Sequence, residues 1–532
     1  MDLLVNLDQM TGETAVLLPV DCIRYAKGFE SCFKSTTIMF QNMLMGRFTR
    51  KRFLQTFGTS LIAPSVWTSL SSAKKASTGA PNILIMMTDD SSPFSYPAYG
   101  NTVLETPHLN GLAEQGMRFN RAYCASPQCS PARAAVLTGQ MPCSVWASRL
   151  HAAVPEGVVN IVDLLNQNGY YTGAFGKTHQ PVIQRDFQYY SNYADYGGKP
   201  FTAFFDQKPA DKPFFLWFGS WNPHRPYGPD HVKYLHKHDP EKIKVPEFLP
   251  DTPKVRQDLA YYYDKIFQFD QNCGKLLSIL DQGGWADNTI VIQTSDHGMP
   301  FPRAKATLYE PGVKVPLVIR WPRHIAPGQV SEALVSTMDL PATWLEAAGI
   351  PRPAIMQSRS FLPVLTGKKK QAREYVYVER DWHDNWDPMR TIIGERFKLI
   401  QRYRPEFPFT PSLDLQQSLS YQEIQRLHQQ GDKTGCMDWY NRYIQGERPE
   451  VAFYDLQTDP GEWTNLAELA NANAARTPTT QIRQFQRKLG QWMQTTGDFL
   501  PPPRTAFPGG PDSRLNKKVD PLNARPYPVD NA

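Results

Sequence analysis

Residues 82–90 read Asn82-Ile83-Leu84-Ile85-Met86-Met87-Thr88-Asp89-Asp90, a continuous apolar run closed by two carboxylates. Such a run, with no alternation of polar and apolar positions, suits a strand buried on both faces of a sheet. Its two aspartates then stand at the carboxyl end of that strand. Runs of the same kind recur at Phe214-Phe215-Leu216-Trp217-Phe218, Thr289-Ile290-Val291-Ile292-Gln293 and Pro316-Leu317-Val318-Ile319. Helical periodicity separates them at 108–115, 161–168 and 255–280. That alternation predicts an α/β domain on a mostly parallel sheet, where ligands gather beyond the carboxyl ends of the strands. Thr294-Ser295-Asp296-His297-Gly298 closes a second run as Thr88-Asp89-Asp90 closes the first, so two strands deliver acidic groups.

After about Lys370 the texture changes. Glu374-Tyr375-Val376-Tyr377-Val378-Glu379, Arg396-Phe397-Lys398-Leu399-Ile400 and a Gln-rich helical stretch at 418–430 predict a smaller α+β domain. The expected organisation is a leader at 1–80, a catalytic domain at 81–372, a second domain at 373–500 and a Pro- and Gly-rich tail at 501–532. The 532 residues are 41% hydrophobic and 20% charged, ordinary globular composition that excludes a disordered body. The net charge of +6 lies in scattered clusters such as Lys51-Arg52, Lys74-Lys75 and Lys368-Lys369-Lys370, which speaks against a nucleic-acid partner but suits an anionic substrate. Seven irregularly spaced cysteines make no disulfide framework. The body holds no uncharged apolar run of about 20 residues, so no membrane span is expected there.

The front end differs. Thr49-Arg50-Lys51-Arg52-Phe53-Leu54-Gln55 opens onto an uncharged stretch at 53–73, with small residues Ala73, Ala76 and Ala80 following. This order predicts an export signal of twin-arginine type with Arg-Lys for Arg-Arg, a periplasmic or secreted protein, and translation starting at Met43 or Met45.

The sharpest chemistry lies in Cys129-Ser130-Pro131-Ala132-Arg133, followed by Ala134-Ala135-Val136-Leu137-Thr138-Gly139. Proline near the start and glycine at the end mark a helix with Cys129 at its N-terminus, where free N–H groups and the positive helix end favour an anion. Asp89, Asp90 and Asp296 are the oxygen donors a hard cation prefers, and His297 adds an imidazole. Gly176-Lys177-Thr178-His179, Asn222-Pro223-His224-Arg225-Pro226 and Lys305 supply basic groups. Singly, each of these would be a turn cap, surface cation or loop histidine.

Cys129, Pro131 and Arg133, with Leu137-Thr138-Gly139 beyond, resemble the C-x-P-x-R signature of type I sulfatases. The resemblance implies an alkaline-phosphatase-like sandwich, with a large mixed and mostly parallel sheet and a C-terminal subdomain holding a short antiparallel sheet. It implies that a formylglycine-generating enzyme oxidises Cys129 to formylglycine. A hydrated aldehyde attacks sulfur with one hydroxyl and keeps another to expel sulfate, whereas a serine would be left as a stable ester. It further implies Ca²⁺ (or Mg²⁺ or Mn²⁺) held by Asp89, Asp90, Cys129, Asp296 and His297. Arg133 and Lys177 would steady the hydrate, His179 would accept its proton, and His224 and Lys305 would bind sulfate and help the leaving group. Asp296 would receive the proton of the attacking hydroxyl.

Within that family, residues 245–253 (Val-Pro-Glu-Phe-Leu-Pro-Asp-Thr-Pro), 298–309 and Pro388-Met389-Arg390 are similar to the heparan N-sulfatase (sulfamidase) branch. This implies a sulfated saccharide substrate, N-sulfoglucosamine of heparan type. Asn222 stands where that branch has an acidic residue, which keeps O-sulfatases of other polysaccharides open. His383, Asp384 and Arg390 are candidate sugar contacts at a domain junction. Two further alternatives are a phosphonate or phosphodiester hydrolase on the same fold and a glycan-binding module that lacks the oxidised residue.

Overall fold

The computed structural model describes residues 79–498 apart from 193–197, 229–230, 232–235, 445 and 473–478, together with a two-residue strand pair, Val519–Asp520 with Arg525–Pro526. The export signal and candidate start sites, and the tail except for that pair, lie outside the described residues.

The main sheet has eight strands: β1 (Asn82–Thr88), β2 (Met117–Phe119), β4 (Tyr171–Gly176), β5 (Tyr189–Ser191), β6 (Phe214–Gly219), β7 (Thr289–Ser295), β8 (Leu317–Arg320) and β9 (Gln329–Ser331). A separate two-strand pair joins β3 (Ala122–Tyr123) to β10 (Val335–Ser336). The main order is β5-β4-β6-β1-β7-β8-β2-β9, and only β8 runs against its neighbours. The run at 316–319 therefore becomes a strand, but it is the exception to the parallel rule.

Every residue of β1 is buried. Each fully buried Ile, Leu or Met side chain contributes about 1.5–3 kcal/mol, which is why both faces of this strand are apolar. The helices α1 (Pro107–Glu114), α2 (Cys129–Thr138), α3 (Ile161–Gln167) and α4 (Pro253–Gln282) follow the predicted periodicity closely. Thr252 caps α4 by accepting the Val255 N–H, and Pro253 occupies its first turn. β4 was not legible in the sequence. Its Gly173 looks like a strand breaker, yet a Cβ there would fall 2.3 Å from the Phe204 ring, so glycine is what lets that ring pack on the strand.

The C-terminal sheet is antiparallel, in the order β11 (Val376–Trp382), β12 (Trp386–Ile393), β13 (Phe397–Arg402), β14 (Val451–Asp455). Between β13 and β14 lies α5 (Leu419–Gln429), capped by Ser418, which packs against α4. The last helix, α6 (Thr479–Thr496), lays Phe485 and Leu489 on Ile392, Leu399 and Phe453. The five described cysteines, Cys124, Cys129, Cys143, Cys273 and Cys436, are buried and carry no disulfide. Among the described residues no helix is long and apolar enough to cross a membrane.

Candidate active site

β4, β6, β1 and β7 are consecutive neighbours running in one direction, so their carboxyl ends lie side by side. β4 leads into Lys177 and His179, β6 into Asn222 and His224, β1 into Asp89 and Asp90, and β7 into Asp296 and His297. Backbone bonds beyond the strands hold these loops in register. Asp89 N–H donates to the Asn222 carbonyl (3.0 Å), Lys177 N–H to Gly219 (2.7 Å) and Ser91 N–H to His297 (3.1 Å). Asp90 adopts φ 77°, a left-handed conformation that costs about 1–3 kcal/mol for a non-glycine residue. Its N–H donates to Asp296 Oδ1 at 3.0 Å, which helps to hold that conformation.

The N-terminus of α2 points into this row. All ten of its residues are buried, and Gly139 ends it in the left-handed region, its N–H on the Ala135 carbonyl. Cys129 Sγ lies 3.4 Å from His297 Nε2 and 3.9 Å from Asp90 Oδ1. One turn on, and so on the same face, Arg133 donates to Asp296 Oδ2 (3.1 Å), Asp89 Oδ1 (3.4 Å) and the Lys177 carbonyl (2.7 Å). Lys177 Nζ meets Asp89 Oδ2 at 2.5 Å.

Burial works to raise every carboxyl here, and the local cations decide which ones resist. Lys177, His224 and Arg133 hold Asp89 well below the usual carboxylate range, and Lys305 with His297 does the same for Asp90. Asp296 is raised, because burial outweighs Arg133 and two neighbouring aspartates oppose its charge. Burial pushes the Cys129 thiol up. His297 is raised well above an ordinary imidazole despite burial, because Asp296 and Asp90 face it.

Ligand atoms of Asp90, Cys129, Asp296 and His297 all lie within 4.8 Å of one another, and all four residues are buried. Two carboxylates, an imidazole and a sulfur atom so close together fit a divalent cation, which would replace the proton that His297 otherwise needs between two acids. Asp89 is turned instead towards Arg133 and Lys177, and it groups with Cys129 and His224.

The remaining basic residues close the ring. Lys305 Nζ contacts Asp90 Oδ2 (2.7 Å) and His224 Nε2 (3.2 Å). His224 Nδ1 is occupied by the Arg225 carbonyl at 2.5 Å, and burial followed by Lys305 keeps this imidazole below its ordinary value. Burial, Lys177 and His151 hold His179 well below its ordinary value. His179 Nε2 lies 2.8 Å from His151 Nδ1, while His179 Nδ1 is buried without a hydrogen-bond partner among the described residues.

Two members of this site went unread in the sequence. His151 is a solitary loop histidine with no motif around it. Asp414 comes from the C-terminal part of the chain, on the short helix Leu413–Gln416, and its Oδ2 meets Lys305 Nζ at 2.8 Å. Only a fold could connect it to residues more than a hundred positions earlier. Asn222 is buried and anchors Asp89 through its carbonyl. His383 and Asp384 bond to each other (2.9 Å), and Asp384 accepts the Leu413 N–H (2.8 Å), so they support the turn that carries Asp414. Arg390 is fully buried and binds Asp381 and Asp498.

The profile of the family described as Sulfatase matches residues 81–350, and that described as N-sulphoglucosamine sulphohydrolase, C-terminal, matches 301–430. Human N-sulphoglucosamine sulphohydrolase is 31% identical over 488 residues, covering 83% of this chain and 94% of that protein. An ulvan-active sulfatase of Formosa agariphila is 26% identical over 504 residues, covering 85% and 80%. Among solved structures, BT4656 in complex with its substrate D-glucosamine-2-N,6-O-disulfate superposes with a TM-score of 0.61 at 20% identity, covering 79% of this chain and 99% of that one. BT1596, a 2-O GAG sulfatase, gives 0.56 at 22%, covering 79% and 93%. At these identities the two structures speak for the fold alone.

Proposed function

Because the chain belongs to the sulfatase family, we propose that it hydrolyses the N-sulfate of glucosamine residues in heparan-type saccharides, using a formylglycine made from Cys129 and a divalent cation, calcium first. The observation that carries this reading is the seat of Cys129. It lies at a buried helix N-terminus, 3.4 Å from His297, inside a ring of carboxylates and fixed cations. The choice of N-sulfate rests on the human relative, which this chain matches over nearly its whole length.

When present, the formylglycine hydrate supplies one hydroxyl to take the sulfuryl group and a second whose deprotonation releases sulfate. Asp90, Asp296, His297 and residue 129, with Asp89 beside them, would hold a divalent cation, which would supply charge for the sulfate oxygens. Arg133 and Lys177 orient the attacking group and keep Asp89 ionised. Asp296, whose carboxylate lies within 4.8 Å of the Cys129 sulfur, is placed to receive the proton of the attacking hydroxyl. His179, kept neutral by burial and Lys177, accepts the proton that leaves with sulfate release, and His151 beside it extends the path. His224 and Lys305 face the leaving group. The protein is exported through its twin-arginine-like leader and matured by a formylglycine-generating enzyme.

The test is purified protein made alongside its maturation enzyme and assayed on N-sulfoglucosamine, glucosamine 6-O-sulfate, nitrophenyl sulfate and a nitrophenyl phosphodiester. We expect sulfate release from the first, a peptide about 18 Da lighter than the thiol form at residue 129, and no turnover by Cys129→Ala. Undiminished turnover by Cys129→Ala would refute the mechanism. A second reading, an O-sulfatase of another polysaccharide, draws on neutral Asn222 and on the ulvan-active relative, and it expects the 6-O-sulfate or an algal polysaccharide to be the better substrate.

A further inference from the structure

Asp414 is the one carboxylate of the described residues that the C-terminal part of the chain sets against both Lys305 and His224. Its Oδ2 accepts from Lys305 at 2.8 Å and lies 3.9 Å from His224 Nε2. Its Oδ1 is buried and has no hydrogen-bond partner among the described residues. The side chain is about one-fifth exposed, so a donor that arrives with the substrate can meet this carboxylate, which has acceptor capacity left unfilled. The position is also stiff. The preceding residue, Leu413, is tied by its N–H to Asp384, and Asp384 is tied to His383, whose Nε2 is a second buried atom without a partner among the described residues.

Lys305 brings an ammonium to this side of the pocket, and His224, its Nδ1–H committed to the Arg225 carbonyl, turns the Nε2 lone pair towards that ammonium. Asp414 adds a carboxylate. An ester oxygen between sulfur and sugar has lone pairs and no hydrogen, so a carboxylate facing it meets acceptor with acceptor. A sulfamate nitrogen carries one hydrogen that can point at a carboxylate. When water has been added and the S–N bond broken, the products are sulfate and a primary amine, which takes up a proton and becomes a cation beside an anion.

We infer that Asp414 is the specificity-determining residue of this site, reading the N–H of a sulfamate and rejecting sulfate esters at the same position. This rests on the substrate reading given above and assigns its selectivity to one side chain. Discrimination by an unpaired buried polar group exceeds what shape alone supplies, because the wrong substrate leaves that group unsatisfied.

The test compares wild type, Asp414→Asn and Asp414→Glu, each matured to equal formylglycine content, on N-sulfoglucosamine and on glucosamine 6-O-sulfate. In Asp414→Asn the sulfamate-over-ester ratio of kcat/KM is expected to fall about 100-fold, with partial recovery in Asp414→Glu. A ratio within about threefold of wild type, even with both rates reduced, would overturn the inference, because a residue that only steadies Lys305 slows both substrates alike. The wild type gives an independent reading through product inhibition. Glucosamine, which presents an ammonium, should inhibit at least about tenfold more tightly than N-acetylglucosamine, which presents a neutral amide, and equal constants overturn the inference. Wild type that cuts the ester and leaves N-sulfoglucosamine intact refutes the substrate reading and this inference together. Wild type that cuts the sulfamate, alongside a variant that keeps the ratio, refutes the inference alone.

Discussion

Lys177 shows how much of this site is electrostatic arrangement rather than special chemistry. Its ammonium is buried, bonded to Asp89, and set 5.1 Å from the ring of half-exposed Trp221. Removing it leaves Asp89 with Arg133 alone and takes a fixed positive charge from beside residue 129. Lys177→Ala is therefore expected to lose about 100- to 1000-fold in kcat/KM on nitrophenyl sulfate while remaining folded by circular dichroism. A turnover within tenfold of wild type would show that Arg133 suffices. Glu379 is a different kind of buried acid. It accepts a hydrogen bond from Ser148, and burial, opposed by Arg390, raises it from 4.5 to about 8. The folded chain then holds a proton that the unfolded chain releases between pH 4.5 and 8, so this contribution to stability is full at the acid end and lost as pH rises through that window. The slope reaches at most about 1.4 kcal/mol per pH unit. Urea unfolding from pH 5 to 8.5 should show the decline in wild type and a flatter profile in Glu379→Gln. Identical slopes would mean that Glu379 is ionised throughout.

At the scale of elements, the site depends on four neighbouring strands ending level with one another. In β4, Gly173 lies under the Phe204 ring, and Phe204 packs on Tyr171 and Tyr189. Gly173→Ala must displace that ring, and a loss of about 1–3 kcal/mol in chemical denaturation is expected. Because Lys177 and His179 follow β4 directly, the same substitution should weaken catalysis as well as stability. A neutral outcome on both would show that the aromatic cluster yields easily.

At the scale of the whole molecule, Asp258 on α4 joins three parts of the chain. It receives both arms of Arg225, next to His224, at 2.8 Å each, and accepts from the backbone and hydroxyl of Ser420 at the start of α5. Truncating it strands a buried guanidinium and uncouples the leaving-group loop from the C-terminal helices. Asp258→Ala should cost about 3–5 kcal/mol, read by urea unfolding, and should raise KM alongside. The cation should likewise act on the fold as a whole. Calcium at about 100 times its dissociation constant would stabilise the native state by about 2.7 kcal/mol, so chelation should lower the unfolding temperature and added calcium should restore it. An unfolding temperature unmoved by either treatment would argue against a tightly held ion.

By itself the sequence determined the parallel core and the centre of the site. Apolar runs such as 82–87 are too continuous for a half-exposed strand, and Cys129 with Pro131 and Arg133 sits at a fixed spacing along one helix, so both are local patterns. β4 was hidden because its glycine is explained only by the ring above it, and β8 reads as a strand without revealing its direction. His151 and Asp414 were decided by the tertiary structure alone. Each is an ordinary polar residue in its own neighbourhood, and its significance comes from long-range packing that sets it within 3 Å of His179 or Lys305. Arg390 teaches the same lesson in reverse, since a charge that looks free at a domain junction is paired with Asp381 nearby and with Asp498, 108 residues on. Periodicity and helix signals are written within a few turns of chain, whereas the pairing of a charge depends on which distant segment the fold brings to it.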